Sequence, residues 1–421
     1  MLFFPEFVSL SLDWNMLLGA GFAAGTVGLA SVFTHEHAGG VDLNAVRSRV
    51  AELQNSSSRT LEQNDELAAL YATWATALFD TEGELNEIVA LFGKAEAILK
   101  ATLVQGEDAV VRQQLGNVYL EWAIALNGFD ELTAAIEYYQ KAIDALKPLD
   151  DAGDGDAKYD CAGIKLNLGI AYRELGDLEK ARTSLDESFL MYRAVEKISA
   201  ASDTRFYLAT VSVQQGNILH EMGETLDKVV DAYNRAMRLY VEVIEDQQEM
   251  TWLERNLANV LLDRCMVTYE DWLDKKFESD AERDKAIDDV LLDINRGVEL
   301  LEKQYKDGNE VARYDLFHGI TLLGKVLCDA GKYAEAQTSL DRAITEFTDL
   351  CNGDDNMFLM QMAMAYATRA VVQLGLGNKS QSEQDCQKGS ELINKLLQSD
   401  SDDEGIQELK QQFQMLIEQL K

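Results

Sequence analysis

The chain has 421 residues, of which 47% are hydrophobic and 26% are charged, a composition that excludes a chain disordered throughout. Its 38 lysines and arginines against 73 aspartates and glutamates give a formal net charge of −35, which would repel phosphate backbones and excludes nucleic acid as a partner. Only two prolines occur, and because proline is excluded from helix interiors we expect mostly long helices.

The first predicted element is an apolar N-terminal region, residues 1–38. Residues 14–34 contain no charged side chain, and at about 1.5 Å rise per residue they are long enough to cross a hydrocarbon layer of about 30 Å. We therefore predict a single transmembrane helix, with a cleaved signal peptide or an ordinary buried helix as alternatives. Arg47 and Arg49 follow this segment and no basic residue precedes it, which favours a cytoplasmic large domain.

Residues 39–64 are predicted to form an amphipathic linker. Val46, Val50 and Leu53 recur there at helical spacing before a run of Asn and Ser ends the pattern. His35 and His37 stand just before it, but residues two apart do not share a helix face, so we predict no metal site.

The most regular part of the chain begins near Asn64. Residues 167–188 (NLGIAYRELGDLEKARTSLDES) and residues 322–343 (LLGKVLCDAGKYAEAQTSLDRA) align without a gap. Both contain Leu-Gly, a second Gly seven residues later, and then Ala, Leu and a small residue at helical spacing. Two antiparallel helices approach closely only where small residues lie at the crossing, so this pattern predicts a tightly packed helix pair.

These two segments resemble the tetratricopeptide repeat. The small residues of the second helix recur in pairs seven apart, and we place these pairs at Ala90 and Ala97, Ala135 and Ala142, Ala181 and Ser188, Val229 and Ala236, Val290 and Gly297, Ala336 and Ala343, and Ser382 and Gly389. Their period is about 46 residues, with some fifteen more in the fifth unit, around residues 272–285. We therefore predict an all-α fold, a right-handed α-solenoid of about seven elongated helix pairs over residues 65–397, preceded by the transmembrane helix.

Residues 398–421 complete the predicted organisation. After an acidic break, the apolar residues Ile406, Leu409, Phe413, Leu416 and Leu420 recur at spacings of three and four. A seam this short predicts a helix that caps the last repeat, with a coiled-coil partner as the alternative.

No pattern of catalytic residues or cofactor ligands stands out. The five cysteines include no CxxC pair, the four histidines are isolated, and the chain has no phosphate-binding GxxxxGK[ST] motif. The acidic segment 150–160 lacks the ligand spacing of a calcium loop. We therefore expect no enzymatic activity, no cofactor and no metal.

The resemblance implies that the first helix of each repeat lines a concave binding face. With the repeat's glycine as position eight, inward positions fall on Asn117, Asn167, Arg173, Asn217, Arg255, Asn256, Asn259 and Lys325. An Asn carboxamide both donates to and accepts from a peptide backbone, so we predict that the asparagines bind an extended chain, with bonds to the neighbouring repeat or to water as the alternative. We expect Arg173, Arg255 and Lys325 to add charge-assisted bonds to carboxylates of the ligand.

The sequence thus predicts a membrane-anchored scaffold that binds an extended peptide or a partner protein without catalysis. The acidic surface favours a basic partner. The alternative is an accessory factor of a translocon or secretion system that holds client proteins outside the cytoplasm. The two hypotheses differ in the side of the membrane on which the repeats lie.

Overall fold

The computed structural model describes residues 41–56, 58–81, 83–106, 108–198, 202–247, 252–349, 356–399 and 404–420. Within these ranges all regular structure is helical, which confirms the predicted all-α class there. The predicted transmembrane segment at 14–34, together with His35 and His37, lies outside the described residues. Among the helices that are described, none combines the length and the apolar character needed to cross a membrane.

Sixteen helices occupy these ranges. Helix α1 (Leu43–Gln54) precedes seven pairs, in each of which we name the first helix A and the second helix B. The A helices are α2 (Leu61–Asp80), α4 (Ala109–Gly128), α6 (Gly155–Glu174), α8 (Ser202–Glu221), α10 (Trp252–Asp274), α12 (Ala312–Asp329) and α14 (Asn356–Gly375). The B helices are α3 (Leu85–Gln105), α5 (Leu132–Asp151), α7 (Leu178–Glu196), α9 (Leu226–Asp246), α11 (Asp280–Lys306), α13 (Tyr333–Phe347) and α15 (Lys379–Ser399), and α16 (Glu404–Gln419) follows them.

The chain divides into two compact units at Leu239 and Tyr240, within α9. In the N-terminal unit, consecutive helices from α1 to α8 pack together, and each A helix also contacts the A helix of the next repeat. In the C-terminal unit, α10 to α15 follow the same arrangement, and α16 packs against α15 and α14. Each unit has its own buried apolar core.

Small residues allow the A and B helices to approach closely. A Cβ atom added to Gly169 would lie 2.7 Å from Leu185, and one added to Gly324 would lie 2.6 Å from Leu340. Such distances are shorter than carbon atoms tolerate, so a side chain at either glycine would force the facing leucine to shift. The turn between α6 and α7 also needs glycine, because Gly176 adopts φ +80°.

The predicted register is confirmed in six repeats and is wrong in the first. The small pairs of α5, α7, α9, α11, α13 and α15 are all buried. In α3, however, Ala90 and Ala97 are exposed, and Ile88 and Ala95 occupy the buried crossing positions. Ile88 and Ala95 are still seven residues apart. Because the first of them is a large residue, an alignment that looks for small side chains places the pair two residues too late.

The seventh repeat replaces Leu-Gly with Arg369 and Ala370, and the structure explains this departure. The Arg369 guanidinium donates to both carboxylate oxygens of Asp385, at 3.0 and 2.7 Å, and to Asp341 at 2.7 Å. Asp385 is fully buried. A buried charge is tolerated only when it is paired and hydrogen-bonded, so this paired cluster takes the place of apolar packing there.

Candidate functional site

Side-chain hydrogen bonds join neighbouring A helices in the N-terminal unit. Each links residues that are one repeat apart in the sequence. The bonds run from Thr76 Oγ1 to Glu121 Oε2 (3.0 Å), from Gln113 to Asp160, and from Arg173 Nε to Glu221 Oε1 (2.6 Å). We call the surface formed by the A helices of one unit the A-helix face of that unit.

The A helices of the C-terminal unit are joined in the same way. Asp315 on α12 accepts from Arg255 Nε at 2.5 Å and from Asn259 Nδ2 at 3.3 Å, both on α10. His318 on α12 lies 2.6 Å from the Gln361 amide nitrogen on α14. Burial lowers the pKa of His318 to about 4, although Asp315 opposes that shift, so this imidazole is neutral at pH 7.

The sequence separation of the bonded residues agrees with the repeat period of about 46 residues and with the longer fifth unit. The bonded residues of the N-terminal unit are 45, 47 and 48 positions apart, whereas those joining α10 to α12 are 56 or 60 apart. The difference is the extra segment of about fifteen residues predicted in the fifth repeat. The sequence analysis did not predict the acidic partners Asp160, Glu221 and Asp315. A search for opposite charges one repeat apart would find Glu221 and Asp315.

Three of the predicted binding residues lie beneath the surface. Asn167, Asn217 and Lys325 are 5%, 7% and 3% exposed. The Asn217 carboxamide oxygen accepts a hydrogen bond from the Tyr233 hydroxyl at 2.7 Å. The amide nitrogens of Asn167 and Asn217 have no hydrogen-bond partner among the described residues. These side chains help to set the shape of the face rather than present a polar edge to solvent.

The other predicted residues lie nearer the surface. Asn117 on α4 is exposed, and Asn256 on α10 is half-buried. Arg173, Arg255 and Asn259 are also half-buried, and each bonds a side chain of the next A helix. For Asn259 this bond is the alternative expected from sequence. The structure therefore distributes the predicted set along the A helices of both units and does not gather it into one cluster.

The C-terminal unit contains a pocket of about 390 Å³. Its walls come from the ends of α10, α12 and α14, from the segment that joins α10 to α11, from the first turns of α11 and α13, and from α16. Trp272, Phe277, Tyr333, Val371 and Leu416 supply apolar surface. Small-molecule and side-chain pockets are typically of this size and predominantly apolar. One predicted residue, Lys325, lines this pocket.

A polar network forms the floor of the pocket beside Lys325. The Asp329 carboxylate accepts hydrogen bonds from the Lys325 ammonium and from the Tyr269 hydroxyl. Burial, with Asp329 adding to it, raises the pKa of Tyr269 well above its usual range, so this hydroxyl stays protonated. Burial also raises the pKa of Cys328, another lining residue, to about 12, so its thiol is not a nucleophile at pH 7.

Comparison with known proteins confirms the resemblance. Residues 161–197, which include most of α6 and all of α7, match the family model for the tetratricopeptide repeat. No curated protein sequence matches the chain. Among solved structures, the signal transduction ATPase with numerous domains (STAND) protein with a tetratricopeptide repeat sensor, from Pyrococcus horikoshii, is 14% identical with a TM-score of 0.53, over 96% of this chain and 56% of that one.

Two further structures are similar. The apo form of the quorum sensor NprR from B. thuringiensis is 13% identical with a TM-score of 0.49, over 90% of this chain and 92% of that one. BtubC (BKLC) from P. vanneervenii is 14% identical with a TM-score of 0.47, over 63% of this chain and 91% of that one. At such identities these likenesses concern the fold alone.

Proposed function

We propose that this chain, in which residues 161–197 match the family model for the tetratricopeptide repeat, is a membrane-anchored scaffold whose A helices bind an extended segment of a partner protein. The observation that supports this most is the continuous set of hydrogen-bonded A helices within each unit. Repeats of this kind create long surfaces that take extended chains, because each added helix pair adds one more strip of surface.

The chemistry of the A-helix face suits a polypeptide ligand. Exposed Asn117 and half-buried Asn256 offer amide groups that both donate and accept, as a peptide backbone requires. Arg173 and Arg255 are held in place by Glu221 and Asp315, so their guanidinium groups are already positioned when a ligand arrives. Preorganised side chains lose less conformational entropy on binding.

Photo-crosslinking tests this surface directly. A photoreactive amino acid at position 117 or 256 of the full chain should crosslink a partner in native membranes. The same residue at Gln140 on α5 or Arg296 on α11, which are exposed on B helices, serves as the matched control. Equal yields from the A-helix and B-helix positions would contradict the proposed face.

The membrane anchor is the second part of the proposal, and the charge-free run at 14–34 supports it. Carbonate extraction of membranes should leave the full chain in the pellet and release a variant that lacks 14–34. Release of both forms would contradict the anchor. Protease protection in sealed vesicles then places the repeats: digestion only in inverted vesicles supports a cytoplasmic scaffold, and the opposite pattern supports the translocon- or secretion-associated alternative.

A further inference from the structure

The pocket of the C-terminal unit differs chemically from the rest of this acidic chain. Against a net charge of −35 overall, its lining residues include three cations, Lys275, Arg283 and Lys325, and one carboxylate, Asp329. Lys325 and Asp329 neutralise each other, and Tyr269 also bonds that carboxylate. The pocket therefore has an excess of positive charge, which attracts an anionic group.

The two remaining cations stand over aromatic rings at the pocket wall. The Arg283 guanidinium lies 5.1 Å from the Trp272 ring centre, and the Lys275 ammonium lies 5.5 Å from that of Phe277. The nearest carboxylate pairing of Lys275 is a long one, at 3.9 Å to Glu282. No carboxylate among the described residues pairs with Arg283. Arg283 is thus positioned by stacking while its charge remains unneutralised.

Gln412 gives an independent indication of a ligand. This α16 side chain lines the pocket and is 6% exposed, and its carboxamide oxygen has no hydrogen-bond partner among the described residues. A buried acceptor without a donor costs about 1–3 kcal/mol, so a bound group or an ordered water that supplies the missing donor is favoured there. Any polypeptide that enters the pocket brings backbone N–H groups, which are hydrogen-bond donors.

We infer that this pocket binds an aromatic side chain of a partner peptide that is flanked by acidic residues. The ring packs among Trp272, Phe277 and Tyr333, the backbone N–H bonds Gln412, and the flanking carboxylates meet Arg283 and Lys275. Aromatic rings favour such offset or edge-to-face neighbours. This inference rests on the proposed function. The extended surface would accept many peptide sequences, and the pocket would select among them those with an aromatic residue between acidic ones.

Four capped pentapeptides test the inference by calorimetric titration into the full chain in lipid nanodiscs. The reference peptide is Gly-Glu-Phe-Glu-Gly, and the others replace Phe with Ala, both Glu with Lys, or all three. We expect each single type of change to weaken binding at least tenfold. This test uses the native chain only. Equal affinity for the Phe and Ala peptides, or no measurable binding of the reference peptide, would overturn the inference.

Variants then locate the binding site. Arg283→Gln should weaken the reference peptide about tenfold and should not weaken the Lys peptide, because it removes a cation that repels the Lys side chains. Arg296→Gln, an identical charge change on the exposed face of the same helix, should have no effect. Gln412→Met should weaken the reference peptide about fivefold. Val371→Phe should abolish its binding by filling the pocket. Binding that survives Val371→Phe would place the peptide elsewhere.

The two proposals fail in different ways. If the pentapeptides do not bind but crosslinking from positions 117 and 256 persists, the A-helix face stands and the pocket inference falls. If the reference peptide binds while crosslinks form equally from the B helices, the pocket is a peptide site and the extended A-helix surface is wrong.

Discussion

Gly324 on α12 lies where the sixth helix pair crosses, against the buried side chain of Leu340. A methyl group there would lie 2.6 Å from Leu340 Cγ. Gly324→Ala gains about 1 kcal/mol of helix propensity but overpacks the crossing by about 1–3 kcal/mol, so we expect a net loss of up to about 2 kcal/mol in the free energy of unfolding. Urea titration followed by circular dichroism measures this loss.

Gly106 provides the control for that experiment. A Cβ atom at Gly106 would contact nothing within 4 Å, and its backbone is extended. Gly106→Ala should therefore change the free energy of unfolding by less than about 1 kcal/mol. If Gly324→Ala changes the free energy of unfolding as little as Gly106→Ala does, the helices of the sixth repeat tolerate a wider separation. Close packing at Gly324 would then not be required for the repeat.

Asn217 on α8 has a structural role that its sequence position did not reveal. Position nine of the repeat predicts contact with a partner, yet the side chain is buried and its carboxamide accepts the Tyr233 hydroxyl. Asn217→Ala removes that acceptor and should lower the free energy of unfolding by about 1–3 kcal/mol. Asn117→Ala, at the same repeat position but exposed, should change it by less than about 0.5 kcal/mol. Equal effects of the two substitutions in urea titration would contradict this difference.

At the scale of the element, α16 closes the apolar core of the C-terminal unit. Its residues Ile406, Leu409, Phe413 and Leu416 are buried, and the Phe413 ring covers Gly389 on α15. Phe413→Ala should therefore cost about 3–5 kcal/mol in the free energy of unfolding. Met415→Ala on the exposed side of the same helix should cost less than about 1 kcal/mol. A small effect of Phe413→Ala would show that α16 is dispensable for the unit.

The contact between α4 and α6 gives a prediction about pH. Burial raises the pKa of Asp160 to about 6, partly offset by the hydrogen bond from Gln113. An unfolded carboxyl titrates near 3.9, so the folded state binds the proton more tightly and this group's contribution to stability falls as pH rises from about 4 to about 6. Asp160→Asn mimics the protonated form and should raise the free energy of unfolding at pH 7.5 by about 1–2 kcal/mol.

The control for this prediction is the same variant at low pH. Near pH 4 the folded Asp160 is already protonated, so Asp160→Asn should then match the native chain in thermal denaturation. Asp144→Asn, on the neighbouring helix α5 where the carboxylate is exposed, should change the free energy of unfolding at pH 7.5 by less than about 0.5 kcal/mol. A constant difference between Asp160→Asn and the native chain from pH 4 to 7.5 would contradict the raised pKa.

The helix pairs could be predicted from sequence because packing repeats with the period of the chain. Gly169 and Gly324 stand at equivalent crossings, and their spacing to Leu185 and Leu340 is identical. The polar site could not be predicted in the same way. Its partners, such as Asp315 for Arg255, lie a whole repeat away and do not stand out among 73 acidic residues. The hydrophobic pattern of α16 also gives no indication that this helix lines a pocket with Lys325, which is far away in the sequence.

At the scale of the whole molecule, the net charge of −35 opposes the compact state through repulsion among carboxylates. Ion pairs act in the other direction, but most of those among the described residues have at least one exposed partner, and such a pair contributes about 0–1 kcal/mol. Salt weakens both effects, and the repulsion extends over more pairs and longer distances than the attraction. The repulsive part should therefore decide how stability responds to ionic strength.

We expect the melting temperature to rise by about 2–6 °C when NaCl is raised from 10 to 300 mM at pH 7.5, because the screening length then falls from about 30 Å to below 8 Å. The same salt change at pH 4.5, close to the isoelectric point of about 4.4, should leave the melting temperature nearly unchanged because little net charge remains to be screened. Differential scanning calorimetry at low protein concentration measures both. A fall in melting temperature with salt at pH 7.5 would mean that ion pairs such as Arg173 with Glu221 outweigh the repulsion, and that the bonds between A helices contribute more to stability than their exposure suggests.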